Sequence, residues 1–247
     1  MKVLGVIPAR YKSSRFPGKP LALIDGVPMV IRVARIVEQA LGKKNTYVAT
    51  DDIRIKDQVE SFGYKAVMTS DKCLTGTDRL WDFAQKTEAD IYINIQGDEP
   101  MLNPMDILKI SEAKKKTPDY VINGMCEIKD EDISSVNIPK VLVNKDNQLI
   151  YMSRLPIPGI KDIRKGIPGY YKQVCIYAFD YKDLKAFGKQ NKKAKYEFFE
   201  DIEILRFFDL GVPIKMVETS GASLAVDVPE DILKIEKALK KSQTKND

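Results

Sequence analysis

The chain has 247 residues, 44% hydrophobic and 30% charged, with 14 Gly and 13 Pro scattered through it, which fits one α/β domain and excludes a disordered or fibrous protein. It contains no histidine, so Ser-His-Asp and Cys-His nucleophile pairs, imidazole bases and His-ligated zinc are excluded, and any chemistry must rest on carboxylates, Lys, Arg or Tyr. Its formal charge of +5 suits small anions better than nucleic acid, because the Lys-rich runs at 114–116 and 189–195 have no interleaved aromatics.

In chain order, residues 3–7 read as a buried strand, and the apolar run there is too short for a signal peptide or a membrane span, so a cytoplasmic protein is expected. Pro28 opens a helix over 29–41 that Gly42 closes. A strand at 46–49, a helix at 53–62, a strand at 65–68, a helix at 78–85, a strand at 90–95 and a helix from Pro104 to about 116 continue the alternation. That order predicts a mostly parallel sheet covered by helices on both faces. From Tyr120 strands dominate, at 121–127, 140–143 and 149–153, the last two flanking a hairpin turn. After a Pro-rich stretch the pattern gives a strand at 174–179, helices near 182–188 and 200–210, strands at 214–217 and 224–226, and a helix over 229–239. The tail at 240–247 is expected to fray. Cys73, Cys126 and Cys175 fit neither a metal site nor a disulfide framework and are expected to be buried structural thiols of a reducing compartment.

Three segments carry candidate chemistry. IPARYKSSRFPGKPL (7–21) leaves the first strand and puts Arg10, Arg15 and Lys19 on a loop with Ser13, Ser14 and Gly18. Cations and small residues at the carboxyl end of a parallel strand suit a polyphosphate, although the spacing is not that of a P-loop, and a solvated basic loop is the plain alternative. NIQGDEP (94–100) ends an apolar strand in Gln96, Gly97, Asp98 and Glu99, and LAVDVPEDI (224–232) ends another at Asp227. Either acid alone is explained as a turn or cap residue. Two in a chain without histidine are better explained as a pair holding Mg²⁺, which would neutralise a triphosphate and activate an attacking hydroxyl. Trp81 reads as core, and of Glu197, Glu200 and Glu203, spaced by three ahead of Arg206, at least one is expected to pair structurally.

Together with VATDD (48–52), MTS and GTDRL (68–80), YMSRLPIP (151–158), EFFEDIEILR (197–206) and VDVPED (226–231), these segments run in the order of the motifs of CMP-Kdo synthetases, the 3-deoxy-manno-octulosonate cytidylyltransferases, which the chain resembles over nearly its whole length. The resemblance implies a nucleotide-diphospho-sugar transferase fold in one domain, 1–247, with a smaller strand-rich dimerisation and acceptor lobe at about 128–195. It implies a homodimer, while the charge pattern and the short apolar run point to neither a nucleic-acid nor a membrane partner. It also implies Mg²⁺-dependent transfer of CMP from CTP to the anomeric hydroxyl of a 2-keto-3-deoxy sugar acid, with release of pyrophosphate, in lipopolysaccharide or capsule biosynthesis.

By position, the resemblance assigns the triphosphate to Arg10, Ser14, Arg15 and Lys19, and Mg²⁺ to Asp98 and Asp227, with these two acids and Lys19 as the catalytic set. It assigns the acceptor to Arg79, Gln96, Arg154, Gln173 and Glu200. Two departures from the pattern matter for the acceptor: HLGIY is QVCIY here, with Gln173 for the histidine, and the Gln of EQLR is Ile204. Both fall in the sugar-acid half, so a less polar pocket wall is expected, and a different acceptor, such as an amino-substituted octulosonate or a nonulosonate, stands beside Kdo itself. A non-catalytic nucleotide-binding regulator is the reading from another class, and it need not keep both acids.

Overall fold

The structure, a computed structural model, describes residues 1–13, 15–129, 133–221 and 224–243; Ser14 therefore lies outside the described residues. The first half alternates β1 (Val3–Ala9), a short ribbon of β2 (Leu23–Ile24) and β3 (Val27–Pro28), α1 (Met29–Leu41), β4 (Thr46–Thr50), α2 (Ile53–Ser61), β5 (Lys65–Met68), α3 (Gly76–Ala84), β6 (Ile91–Ile95) and α4 (Pro104–Lys116). The second half adds β7 (Val121–Glu127), β8 (Lys140–Val143), β9 (Leu149–Ser153), β10 (Tyr171–Phe179) and α5 (Tyr181–Gly188). It ends in α6 (Lys195–Glu200), α7 (Leu205–Asp209), β11 (Ile214–Glu218) and α8 (Asp231–Gln243).

The main sheet runs β11-β7-β10-β6-β1-β4-β5, parallel except for β10, which is antiparallel to both β6 and β7. Side-chain alternation along its strands builds two cores, one on each face. Ile7, Ile91, Ile93 and Ile95 pack with Val33, Val37, Ile107 and Ile110 of α1 and α4. Leu4, Val6 and Tyr92 pack with Leu80, Phe83, Leu184 and Phe207 of α3, α5 and α7 on the other.

The antiparallel insertion matters for the site. Because Ile176 pairs with Ile95, the residues before it, Gln173 and Cys175, extend past the carboxyl end of β6. The segment 128–195, expected as a lobe of its own, thus places β10 in the middle of the main sheet. Among the described residues only the β8–β9 hairpin leaves the sheet path.

Several elements differ from the sequence pattern. The helix expected over 200–210 is confined to α7, and α6 ends at Glu200 before it, because Asp201 turns left-handed (φ 49°, ψ 48°) and its carbonyl, with that of Glu200, accepts from the Arg154 guanidinium instead of from a next helical turn. Residues 224–226 form no strand; Val226 N donates to the Asp98 carbonyl over 2.9 Å, and the segment is otherwise irregular. Helix α3 starts two residues before the expected Asp78, which is the third residue of a reciprocal cap with Thr75. Of the cysteines, Cys126 is buried, but Cys73 and Cys175 are only half-buried because they face cavities.

Candidate active site

The carboxyl ends of β1 and β6 open into two adjoining cavities, of about 210 and 540 Å³. The smaller is walled by the cationic loop after β1, with Arg10, Arg15 and Lys19, and by Thr75, Gly76 and Arg79 at the start of α3. The larger is walled by Glu99, Arg154, Lys172, Gln173, Cys175, Tyr177 and Glu203. Arg10, Gln96, Asp98 and Asp227 line both, so they mark the seam where two bound molecules would meet.

The loop is shaped by its backbone. Gly18 sits at φ 71°, where glycine is favoured, and its amide donates to the Tyr11 carbonyl over 2.9 Å. Arg54, braced by two bonds to Asp52, lies 3.4 Å from the centre of the Tyr11 ring and supports the turn from outside. The chain then reverses through Pro20 and aims Lys19 at the seam, where Nζ donates to Asp98 Oδ2 (2.6 Å) and to the Val226 carbonyl (2.8 Å). Arg15 reaches Asp227 Oδ1 over 3.0 Å, an exposed pair contributing about 0–1 kcal/mol to stability. Both acids thus face cations from the loop, and the bond from Val226 N to the Asp98 carbonyl keeps the two segments side by side.

Beside them, Glu99 is 7% exposed and its Oε2 has no hydrogen-bond partner among the described residues. Burial first, and then the Asp98 carboxylate, push its carboxyl up to about 8. Cys175 is close enough to Glu99 that burial and that acid together hold its thiol well above the ordinary range.

The expected acceptor residues divide. Gln96 and Gln173 both face the larger cavity, Gln96 donating from Nε2 to Glu203 Oε1 (3.1 Å) and Gln173 from Nε2 to Asn123 Oδ1 (2.9 Å). Arg154 also lines it, but its guanidinium donates to the carbonyls of Val136, Glu200 and Asp201, so it braces the wall. Glu200 reaches neither cavity; its carboxylate accepts from Arg154 N over 2.8 Å. Arg79 lines the smaller cavity and not the larger, 3% exposed, with its guanidinium held by Asp51 (2.9 Å) and Thr69 Oγ1 (2.7 Å). Ile204 is 1% exposed and belongs to the core with Leu205 and Phe207, while its neighbours Ile202 and Glu203 line the cavity. The expected less polar wall at Ile204 is therefore absent.

One buried network holds the rim in place. Arg206, 1% exposed, binds Glu197 Oε1 (2.6 Å) and Asp78 Oδ1 (2.7 Å), its guanidinium 3.7 Å from the centre of the Phe187 ring. This pairing answers the expectation from the three spaced glutamates, with Glu197 as the partner. Asp78 also accepts from Thr75 N, so the network fixes the turn that carries Thr75 and Gly76. Sequence patterns gave no hint of a site role for Glu203 or Cys73.

Comparison with known proteins fits this geometry. Residues 4–215 match the family profile described as Cytidylyltransferase. The 3-deoxy-manno-octulosonate cytidylyltransferase of Parabacteroides distasonis is 39% identical over 97% of this chain and 97% of its own length. The 8-amino-3,8-dideoxy-manno-octulosonate cytidylyltransferase of Shewanella pealeana is 40% identical over 94% of this chain and 96% of its own. Among solved structures, that of CMP:2-keto-3-deoxy-manno-octonic acid synthetase complexed with CTP superposes with a TM-score of 0.91 at 37% identity, covering 98% of this chain and 100% of that one.

Proposed function

Because the chain belongs to the cytidylyltransferase family and is a nucleotidyltransferase, we propose that it transfers CMP from CTP to the anomeric hydroxyl of a 2-keto-3-deoxy sugar acid, with Kdo as the named case. The observation that carries the reading is the seam: a cation-lined cavity and a larger polar one share Arg10, Gln96, Asp98 and Asp227. In the reaction the anomeric oxygen bonds to the α-phosphorus, the bond from that phosphorus to the α–β bridging oxygen breaks, and pyrophosphate leaves with its electrons while the hydroxyl proton passes to solvent.

Arg10, Arg15 and Lys19 hold the phosphates through charge-assisted hydrogen bonds, Lys19 exchanging Asp98 for a phosphate oxygen. Asp98 and Asp227 suit Mg²⁺: the donors are oxygen only, a buried carboxylate oxygen of Glu99 beside them lacks a partner among the described residues, and each acid is faced by a cation. When bound, the ion would neutralise triphosphate charge and acidify the attacking hydroxyl.

The larger cavity takes the sugar acid. With Ile204 in the core, the departures that face this cavity are Gln173 and Cys175, the latter where HLGIY has glycine. Relatives named for an 8-amino sugar are as similar as those named for Kdo, so the amino-substituted octulosonate is the second reading. Retention of both acids speaks against a silent regulator. No helix among the described residues is long and apolar enough to cross a membrane. We also place the protein in the cytoplasm, serving lipopolysaccharide or capsule synthesis, as a homodimer joined through the region 128–195, where Leu155 and Ile167 are exposed.

The test is pyrophosphate release from each nucleoside triphosphate against a panel of sugar acids, with and without Mg²⁺. Release is expected with CTP, Mg²⁺ and Kdo or its 8-amino analogue. Absence of release with every acid would overturn the proposal.

A further inference from the structure

Glu203 is the side chain on which Gln96 rests. The Gln96 amide lies over Gly76, where a Cβ would come within 3.0 Å of its Nε2, so the glycine leaves the space that the amide occupies. Nε2 donates to Glu203 Oε1 over 3.1 Å, and Glu203 Oε2 accepts from Thr77 N, also over 3.1 Å, on the first turn of α3. That turn is itself fixed by the Asp78–Arg206 pair. An amide's two ends have nearly the same shape, so its orientation is decided by its partners. Burial raises the Glu203 carboxyl above its usual range; once ionised it only accepts, and it must be met by the NH₂ end. The Gln96 carbonyl oxygen is then turned away from Glu203; among the described residues it has no protein partner, it is not buried, and the residue lines both cavities.

We propose that Glu203 is a positioning residue: by accepting from Gln96 Nε2 it presents Gln96 Oε1 to a hydroxyl of the sugar acid where the two cavities meet, and so selects acceptors that donate a hydrogen bond there. The inference rests on the larger cavity being the acceptor site. A plain structural role for Glu203 would act through α3 and disturb the nucleotide side as well, since Thr75 and Gly76 line both cavities.

The two roles separate in a double-mutant cycle of Glu203→Gln and Gln96→Met, with CTP saturating and the sugar acid varied. An amide in place of the Glu203 carboxylate has one accepting end, which Thr77 N would take, so its NH₂ end would meet Gln96 and turn the Gln96 amide over. Glu203→Gln is expected to lower kcat/KM for the sugar acid about tenfold, leave KM for CTP within about twofold, and add less than about twofold in the Gln96→Met background. A full-sized effect of Glu203→Gln in that background, or an equal change in KM for CTP, would overturn the proposal. A second measurement needs no change at Glu203: sugar acids with one hydroxyl at a time replaced by fluorine, which cannot donate. Wild type should lose about tenfold at one position and Gln96→Met should not; no sensitive position, or the same sensitivity in both proteins, overturns it. No pyrophosphate release by wild type with any acid removes the function and this inference together, whereas release with additive variants removes this inference alone.

Discussion

Replacing Arg206 by Met tests whether the rim of the site is held from the buried side. The guanidinium is 1% exposed and makes two bonds to Glu197, at 2.6 and 2.7 Å, and two to Asp78, at 2.7 and 3.2 Å. Glu197 is fully buried, and without Arg206 the Ala194 amide at 2.9 Å is the one partner it keeps among those seen for its carboxylate. Breaking such a pair from one side costs about 3–5 kcal/mol, because a charge is left in the interior with nothing to offset its desolvation. For a domain of this size each kcal/mol moves the midpoint by about 2–4 °C, so Arg206→Met should melt roughly 6–20 °C below wild type. Removing both charges, as Arg206→Met with Glu197→Met, should recover at least half of the loss, since an apolar pair of similar volume carries no desolvation cost. Thermal unfolding followed by circular dichroism reads both values. A single variant melting within about 2 °C of wild type, or a double variant as unstable as the sum of its parts, would refute the reasoning.

Asp98→Asn and Asp227→Asn should each cost on the order of 10³-fold or more in turnover while the melting temperature holds, and near-normal turnover with Mg²⁺ would remove that residue from the metal site. Lys19→Ala and Arg10→Ala should each weaken CTP by about 1.5–3 kcal/mol, read as KM or by calorimetry, while Lys172→Ala, which lines only the larger of these two cavities, should leave CTP unchanged. Cys73 lines the smaller cavity and burial raises its thiol, so alkylation at neutral pH should be slow, faster at higher pH, and slowed further by CTP; peptide mass spectrometry showing no CTP protection would move the nucleotide elsewhere. Ile204→Gln should destabilise the fold by about 1–3 kcal/mol, an amide without a partner in the core, and should not change acceptor preference; a gain in preference for Kdo would mean that residue 204 faces the substrate.

The last case shows which part of the molecule can be read from its residues. The cationic loop and Gln96 with Asp98 were legible because buried strands announce themselves by runs of apolar residues, and the ends of adjacent parallel strands β1 and β6 must lie together. Nothing beyond strand pattern and topology is needed to bring Arg10 and Lys19 to the same edge as Asp98. Asp227 lies at the same edge without a strand to carry it: among the described residues the segment before it is tied in by the backbone bond from Val226 N to Asp98.

The acceptor half resists the same treatment because distant partners decide it. Local propensity favours one continuous helix through the stretch FFEDIEIL, and continuity would keep Glu200 and Glu203 on one face. The break at Asp201 is selected by Arg154, 47 residues earlier, which takes the carbonyls that the helix would have used. Once the helix breaks, Glu200 supports Arg154, Glu203 faces the cavity and Ile204 enters the core. A family pattern transfers a position along the chain, but the side on which that position emerges depends on this long-range bond. Acceptor choice therefore has to be argued from the amide groups that reach the cavity, Gln96 oriented by Glu203 and Gln173 held by Asn123. A substitution that leaves both amides and their partners in place should leave the preferred sugar acid unchanged, however far it departs from the family pattern.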